Sequence, residues 1–186
     1  PTPVIGMLGL IEDPSHITRV GFQNEGDAIV LLGRPAITLG GSQYYYALHK
    51  TIMGPCPELD LAFEKRLQDA IRDMIAAGMV RSAQDISEGG LAVTLAECCM
   101  QSAGLTGAEI SLPAGAIPAI ELFSEEPSRV VISCPAKDGG KVLDLARKAG
   151  IPAAVIGKTG GDALNIRNVL HVPVKELKSA WESFSL

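Results

Sequence analysis

Aromatic side chains are scarce in this sequence, 4% of 186 residues, so its core must be built from aliphatic ones among the 47% that are hydrophobic. A chain of this length buries a sizeable core, as one large domain or a domain with an appendage. Basic runs are missing as well. The formal net charge is −5 and no Lys/Arg stripe is interleaved with aromatics, which excludes nucleic acid as a partner. No apolar run reaches the ~18 residues that a membrane span needs, so no membrane partner is expected. The N-terminus lacks the basic, apolar, small-residue order of a signal peptide. Cys56, Cys98, Cys99 and Cys134 form no C-x-x-C pair and have no histidine at zinc spacing. Adjacent on one helix, Cys98 and Cys99 are poorly placed to pair with each other. These features predict reduced, mostly buried thiols in a cytoplasmic protein, with no metal site and no base to activate a cysteine.

What is present is a regular alternation of apolar segments and turns. Residues 1–13 read as an extended apolar strand with nothing before it to pair with, followed by turn-rich sequence and either a short strand or a linker over 16–22. Residues 28–33 are a continuous apolar run and hence a buried strand. Gly40 and Gly41 open a helix through Tyr44, Tyr45 and Tyr46, of which one packs and the others reach a surface. Residues 59–77 form the clearest helix, with Asp60 as N-cap, Glu64 in its first turn and Gly78 as its stop. Strands are predicted over 79–83, 108–112, 130–133 and 153–157, with 163–166 as the hairpin mate of the last. Helices are predicted over 117–123, 138–149 and 174–184, the last packing through Leu177, Ala180, Trp181 and Phe184. About seven strands and five or six helices give an α+β or α/β fold, a mixed sheet packed with helices.

The most informative stretch is residues 84–98, a polar glycine-paired turn between a strand and a helix whose Leu91, Leu95 and Cys98 recur at helical spacing. Ser87 or Asp85 is expected to cap that helix, and Gly89 and Gly90 to turn the backbone with positive φ. Such a corner has two readings. It is an anion site at a helix N-terminus, or an ordinary capped helix that binds nothing. The three histidines carry no functional reading: His16 and His171 follow turns or strand ends, and His49 lies near a helix end that favours a cation.

Four blocks occur together: residues 1–6 (PTPVIG), 54–66 (GPCPELDLAFEKR), 80–92 (VRSAQDISEGGLA) and 122–129 (LFSEEPSR). In this order they closely resemble the synthetase subunit of phosphoribosylformylglycinamidine synthase, a relative of aminoimidazole ribonucleotide synthase. The resemblance covers essentially the whole chain. It implies that residues 1–20 are the terminal strand and linker of a preceding ATP-binding domain, and that 21–186 are the C-terminal domain of an aminoimidazole ribonucleotide synthase-like fold. The family's reaction is a ligation in purine biosynthesis. Formylglycinamide ribonucleotide, ammonia derived from glutamine, and ATP give formylglycinamidine ribonucleotide, ADP and phosphate, by way of an iminophosphate.

By the same resemblance, the catalytic histidine and the Mg²⁺ ligands lie in ATP-binding domains upstream. No catalytic or metal residue is therefore expected here, and this piece alone is expected to be inactive. Its partners would be those upstream domains and, if Leu186 is the natural end and the protein the short form, a separate glutaminase subunit and a small bridging subunit. Asp85, Ser87, Gly89 and Gly90, with Ser124, Glu125 and Arg129, are the candidates for contact with a ligand or a neighbouring domain. The Ser124–Arg129 stretch departs from the family's substrate-binding Glu-Ser-Gln pattern, which weighs towards scaffold or interface. On residues alone, Glu125 and Glu126 would be solvent-facing carboxylates and Arg129 their surface partner, worth ~0–1 kcal/mol. Other members of the superfamily (aminoimidazole ribonucleotide synthase, selenophosphate synthetase, thiamine-monophosphate kinase) share the corner. The Gly54-Pro55-x-Pro57-x-Leu59-Asp60-Leu61 block argues against them, and the orphan first strand against a non-catalytic assembly domain.

Overall fold

The computed structural model describes residues 4–183. Seven strands form one mixed sheet in the order β2-β4-β1-β5-β3-β6-β7. They are β1 (Ala28–Gly33), β2 (Ser82–Asp85), β3 (Ala108–Ile110), β4 (Arg129–Cys134), β5 (Ala153–Thr159), β6 (Ala163–Ile166) and β7 (Leu170–Pro173). The helices are α1 (Gln43–His49), α2 (Leu61–Ala76), α3 (Gly90–Met100), α4 (Pro118–Phe123), α5 (Gly139–Lys148) and α6 (Val174–Glu182). Among the described residues no helix is long and apolar enough to cross a membrane.

The period-two alternation of β1 decides the layering. Ile29 and Leu31 point to one face with α3, Leu122 of α4 and Val174 of α6, and Val30 and Leu32 to the other with α2 and α5. Because both faces are covered, the strand reads as an unbroken apolar run. α2 starts as expected, with Asp60 accepting from the Phe63 amide at 3.0 Å. It ends at Gly78, whose φ of +68° lets the Met79 amide close on the Met74 carbonyl.

Several expectations are corrected. Residues 4–13 join no strand, and Val4, Ile5, Met7, Leu8 and Leu10 are exposed, because no neighbouring strand is offered to them. The earlier part of that segment, residues 1–3, lies outside the described residues. β2 begins at Ser82 rather than Met79, whose amide is used to close α2. β6 is not the hairpin mate of β5. Both edges of β5 are already taken, by β1 and β3, so β6 passes beyond and pairs in parallel with β3, and β7 completes the edge. On α6 the packing stripe stops at Val174 and Leu177; Ala180 is exposed and Trp181 is 64% exposed, with no described element reaching far enough to cover the indole. Phe184 lies outside the described residues. Of the three tyrosines one packs, Tyr44, whose ring stacks on Phe123 at 4.8 Å.

Candidate functional site

Antiparallel pairing of β2 with β4 sets Asp85 opposite Val130. It therefore brings the corner after β2 beside the connection that enters β4, although some forty positions separate them in the chain. The Ile86 amide donates to the Arg129 carbonyl at 2.9 Å and continues the ladder into the corner. Asp85, Ser87, Glu88, Glu125, Ser128 and Arg129 thus line one cleft of about 490 Å³, closed on its far side by Glu64 and Gln68 of α2. Asp85 and Ser87 are exposed there, and Glu125 is half-buried. Gly90 and Ser124 sit behind this wall. Gly90 is packed against the backbone of Leu122 and Phe123, while the buried Ser124 hydroxyl accepts from the Glu126 amide at 3.3 Å.

Neither Ser87 nor Asp85 caps α3. The N-cap is Gly89, left-handed at φ +80°, and no side chain of the corner bonds the first turn. The Gly89 amide instead donates to Glu125 Oε1 at 2.8 Å, an oxygen that also accepts from the Gln43 amide at 2.9 Å at the start of α1. Glu126 Oε1 likewise accepts from the Ile37 and Thr38 amides, both at 3.0 Å. The adjacent carboxylates are therefore not solvent-facing bystanders. Backbone amides, with no other acceptor nearby, draw an ionised oxygen more strongly than a neutral one.

Arg129 does not pair with either of them. It is 2% exposed and donates through Nη2 to Glu121 of α4, which is 4% exposed. Its Nε and Nη1 have no partner among the described residues. β4 runs between two others in the sheet, so its first side chain is carried inward, and Glu121 follows it there. Sequence reasoning missed Glu121 because an acidic residue inside a short apolar helix gives no local sign of burial. Glu126 as an anchor was missed for a related reason, since its partners are amides 88 and 89 positions away.

The cleft is consequently acidic. Glu64, Asp85, Glu88 and Glu125 line it, while the one cation, Arg129, already faces a carboxylate. Like charges at this range repel an approaching anion, and the corner amide best placed to receive a phosphate is engaged. Among the described residues no three His, Cys, Asp or Glu side chains converge as a metal set. A triphosphate with its Mg²⁺ does not fit this donor set. Burial pushes the Cys99 thiol up to about 12 and Cys134 up to about 11, and raises Cys98 further, so none is a ready nucleophile. His16 lies 4.0 Å from Asp13, and His49 and His171 are exposed.

The chain is similar to proteins of known name. It is 41% identical to "Phosphoribosylformylglycinamidine synthase subunit PurL" of Anaeromyxobacter sp. (strain Fw109-5), over 97% of this chain and 25% of that protein. It is also 41% identical to the protein of the same name from Moorella thermoacetica (strain ATCC 39073 / JCM 9320), with the same coverage. The chain thus spans about a quarter of the length of these relatives. In fold it matches T. maritima PurL complexed with FGAR at a TM-score of 0.76 and 22% identity, covering 89% of this chain and 30% of that one. It matches T. maritima PurL complexed with ATP at a TM-score of 0.68 and 22% identity, over 89% and 28%. The structure of PurLQS from Thermotoga maritima is matched at a TM-score of 0.69 and 22% identity, again over 89% and 28%. The sequence pattern described as "AIR synthase related protein, C-terminal domain" matches residues 24–167, most of the chain. The chain belongs to the family of AIR synthase related proteins, as their C-terminal domain.

Proposed function

We propose that this chain is the C-terminal domain of a phosphoribosylformylglycinamidine synthase, the ATP-dependent ligase that turns formylglycinamide ribonucleotide and ammonia into formylglycinamidine ribonucleotide. The observation that carries the reading is 41% identity to PurL subunits along 97% of the chain, a quarter of their length. Within the whole protein, residues 1–20 would lead in from a preceding ATP-binding domain and 21–186 would form the domain described here. ATP and Mg²⁺ would be held by those upstream domains, in keeping with the acidic, cation-poor cleft of this one. A glutaminase subunit and a small bridging subunit would supply ammonia, in the cytoplasm.

The role left to this domain is to hold a neighbour in place. Asp85, Ser87, Gly89 and Glu125, backed by the buried Gly90, Ser124 and Arg129, are then residues of an interface with the upstream domains. Supporting this is the engagement of the Gly89 amide by Glu125, which leaves the corner without the free donor that phosphate binding uses.

The test is an assay of the full-length chain with formylglycinamide ribonucleotide, Mg-ATP and ammonium, following phosphate release and amidine product, beside calorimetric titration of residues 1–186 with each ligand. Turnover by the full-length chain and no heat from the shorter one is the expected pair of results. A full-length chain that hydrolyses ATP only with a different acceptor would overturn the proposed reaction. Saturable binding of formylglycinamide ribonucleotide to residues 1–186, lost in Asp85→Asn, would overturn the interface role.

A further inference from the structure

Residues 34–60 join β1 to α2 and lie outside both cores. Helix α1 within them buries none of its residues, and Ile37, Leu48, Ile52 and Met53 are exposed. A segment with so little apolar burial is held by its polar contacts, and these converge on two neighbouring side chains. Glu126 takes the Ile37 and Thr38 amides; Glu125 takes the Gln43 amide. Further ties are the Tyr44–Phe123 stack, the Arg34 guanidinium over the Phe63 ring at 4.3 Å, and an Arg34–Asp60 ion pair of 2.8 Å that joins the two ends of the segment.

We propose that residues 34–60 are a latched lid, with Glu125 and Glu126 as the latch, and that Glu125 couples closure of the lid to the conformation of the glycine corner. The latch is mounted on a fixed stem, since Ser124 on one side is buried and Arg129 on the other is tied to Glu121. The lid forms one wall of a cleft of about 620 Å³, through Pro35, Thr38 and Pro57, and Phe63, Glu126 and Pro127 form the opposite wall. Lifting the lid would open that cleft and cost little apolar burial. The carboxylates and the freed amides would exchange each other for water, so these charged hydrogen bonds, rather than apolar burial, set the cost of opening.

Coupling follows from a shared atom. One oxygen of Glu125 serves Gln43 in the lid and Gly89 in the corner, and α3 has no side-chain cap of its own to replace it. If the Glu125 side chain swings outward with the lid about its fixed backbone, Gly89 loses its acceptor. The two amides therefore report one event.

Hydrogen exchange read by mass spectrometry on the full-length chain tests this without any variant. The Ile37, Thr38 and Gln43 amides are expected to exchange through a local opening insensitive to dilute denaturant, at least about tenfold more often than those of β1. Exchange of these amides only with global unfolding would overturn the lid. In Glu126→Ala the Ile37 and Thr38 amides should exchange about tenfold faster, given what hydrogen bonds to charged groups contribute. In Glu125→Ala the Gln43 and Gly89 amides should speed up together, less so in Glu125→Gln, which keeps a neutral acceptor. Peptides of β1 and α5 serve as the folding control. Acceleration of Gln43 with Gly89 unchanged would overturn the coupling, and no acceleration of any lid amide in either alanine variant would overturn the latch.

Discussion

Arg129, at the first position of β4, reaches Glu121 of α4 in a contact closed to water from both sides, their side chains 1% and 5% exposed. Two Arg129 nitrogens are left without an acceptor among the described residues. Taking both charges out of water costs several kcal/mol, which their attraction roughly repays, whereas removing one partner strands the other. Glu121→Gln and Arg129→Met are each expected to lower the unfolding free energy by about 3–5 kcal/mol in urea titrations. The double variant Glu121→Leu with Arg129→Met should recover most of that loss. A double variant as unstable as the singles would show that the pair contributes more than mutual neutralisation.

Gly90 combines a left-handed φ of +69° with close packing: an added Cβ would lie 2.6 Å from the Leu122 carbonyl oxygen and 2.8 Å from the Phe123 Cα. Backbone atoms on both sides cannot move away. Gly41, at φ +71°, has open space where its Cβ would go. Gly41→Ala should therefore cost about 1–2 kcal/mol, the backbone strain alone. Gly90→Ala should cost that plus overpacking, at least about 2 kcal/mol in total. Equal losses in thermal or urea unfolding would remove the packing argument.

The Asp60 carboxyl is held below the usual carboxylate range, first by the Phe63 amide that it caps and then by Arg34. A folded value lower than the unfolded one means that its contribution is complete above the unfolded value, ~4, and is lost as pH falls through the folded value. The stability difference between the natural chain and Asp60→Ala should be flat near neutral pH and shrink below about pH 4. Salt should reduce the Arg34 share, which is exposed to solvent. A difference that grew on acidification would contradict this sign.

Cys56 is exposed, whereas Cys98, Cys99 and Cys134 are buried, with thiols that burial keeps protonated. Titration of the native chain with a thiol reagent near pH 8 should consume one equivalent quickly. The other three should react only as fast as the chain unfolds, and Cys56→Ser should abolish the fast phase. Fast reaction of a second thiol would show that a core opens locally.

Elements whose signal is local were legible from residue order. The buried strand β1, the cap and stop of α2, and the β-branched run of β4 all rest on neighbours within a few positions, where periodicity and capping chemistry act. The assignment of the chain to its superfamily also came from four short blocks of sequence. The partner of β6 was misjudged because adjacency in the chain favours a hairpin, and only the sheet as a whole shows that β3 already occupies the place.

The candidate residues themselves divide the same way. That residues 84–90 make a glycine corner was written in their order, since positive φ and a following helical period are properties of a few consecutive residues. That Glu125 reaches the Gly89 amide was decided only when β2 paired with β4. That Glu126 holds Ile37 and Thr38 was decided only when β1 paired with β4 and set Gly33 opposite Arg129. That Arg129 turns inward to Glu121 was decided only when α4 packed against the sheet. A charged side chain looks the same in a sequence whether it faces water or a backbone amide. Its environment is a property of segments far apart in the chain, and packing alone brings them together.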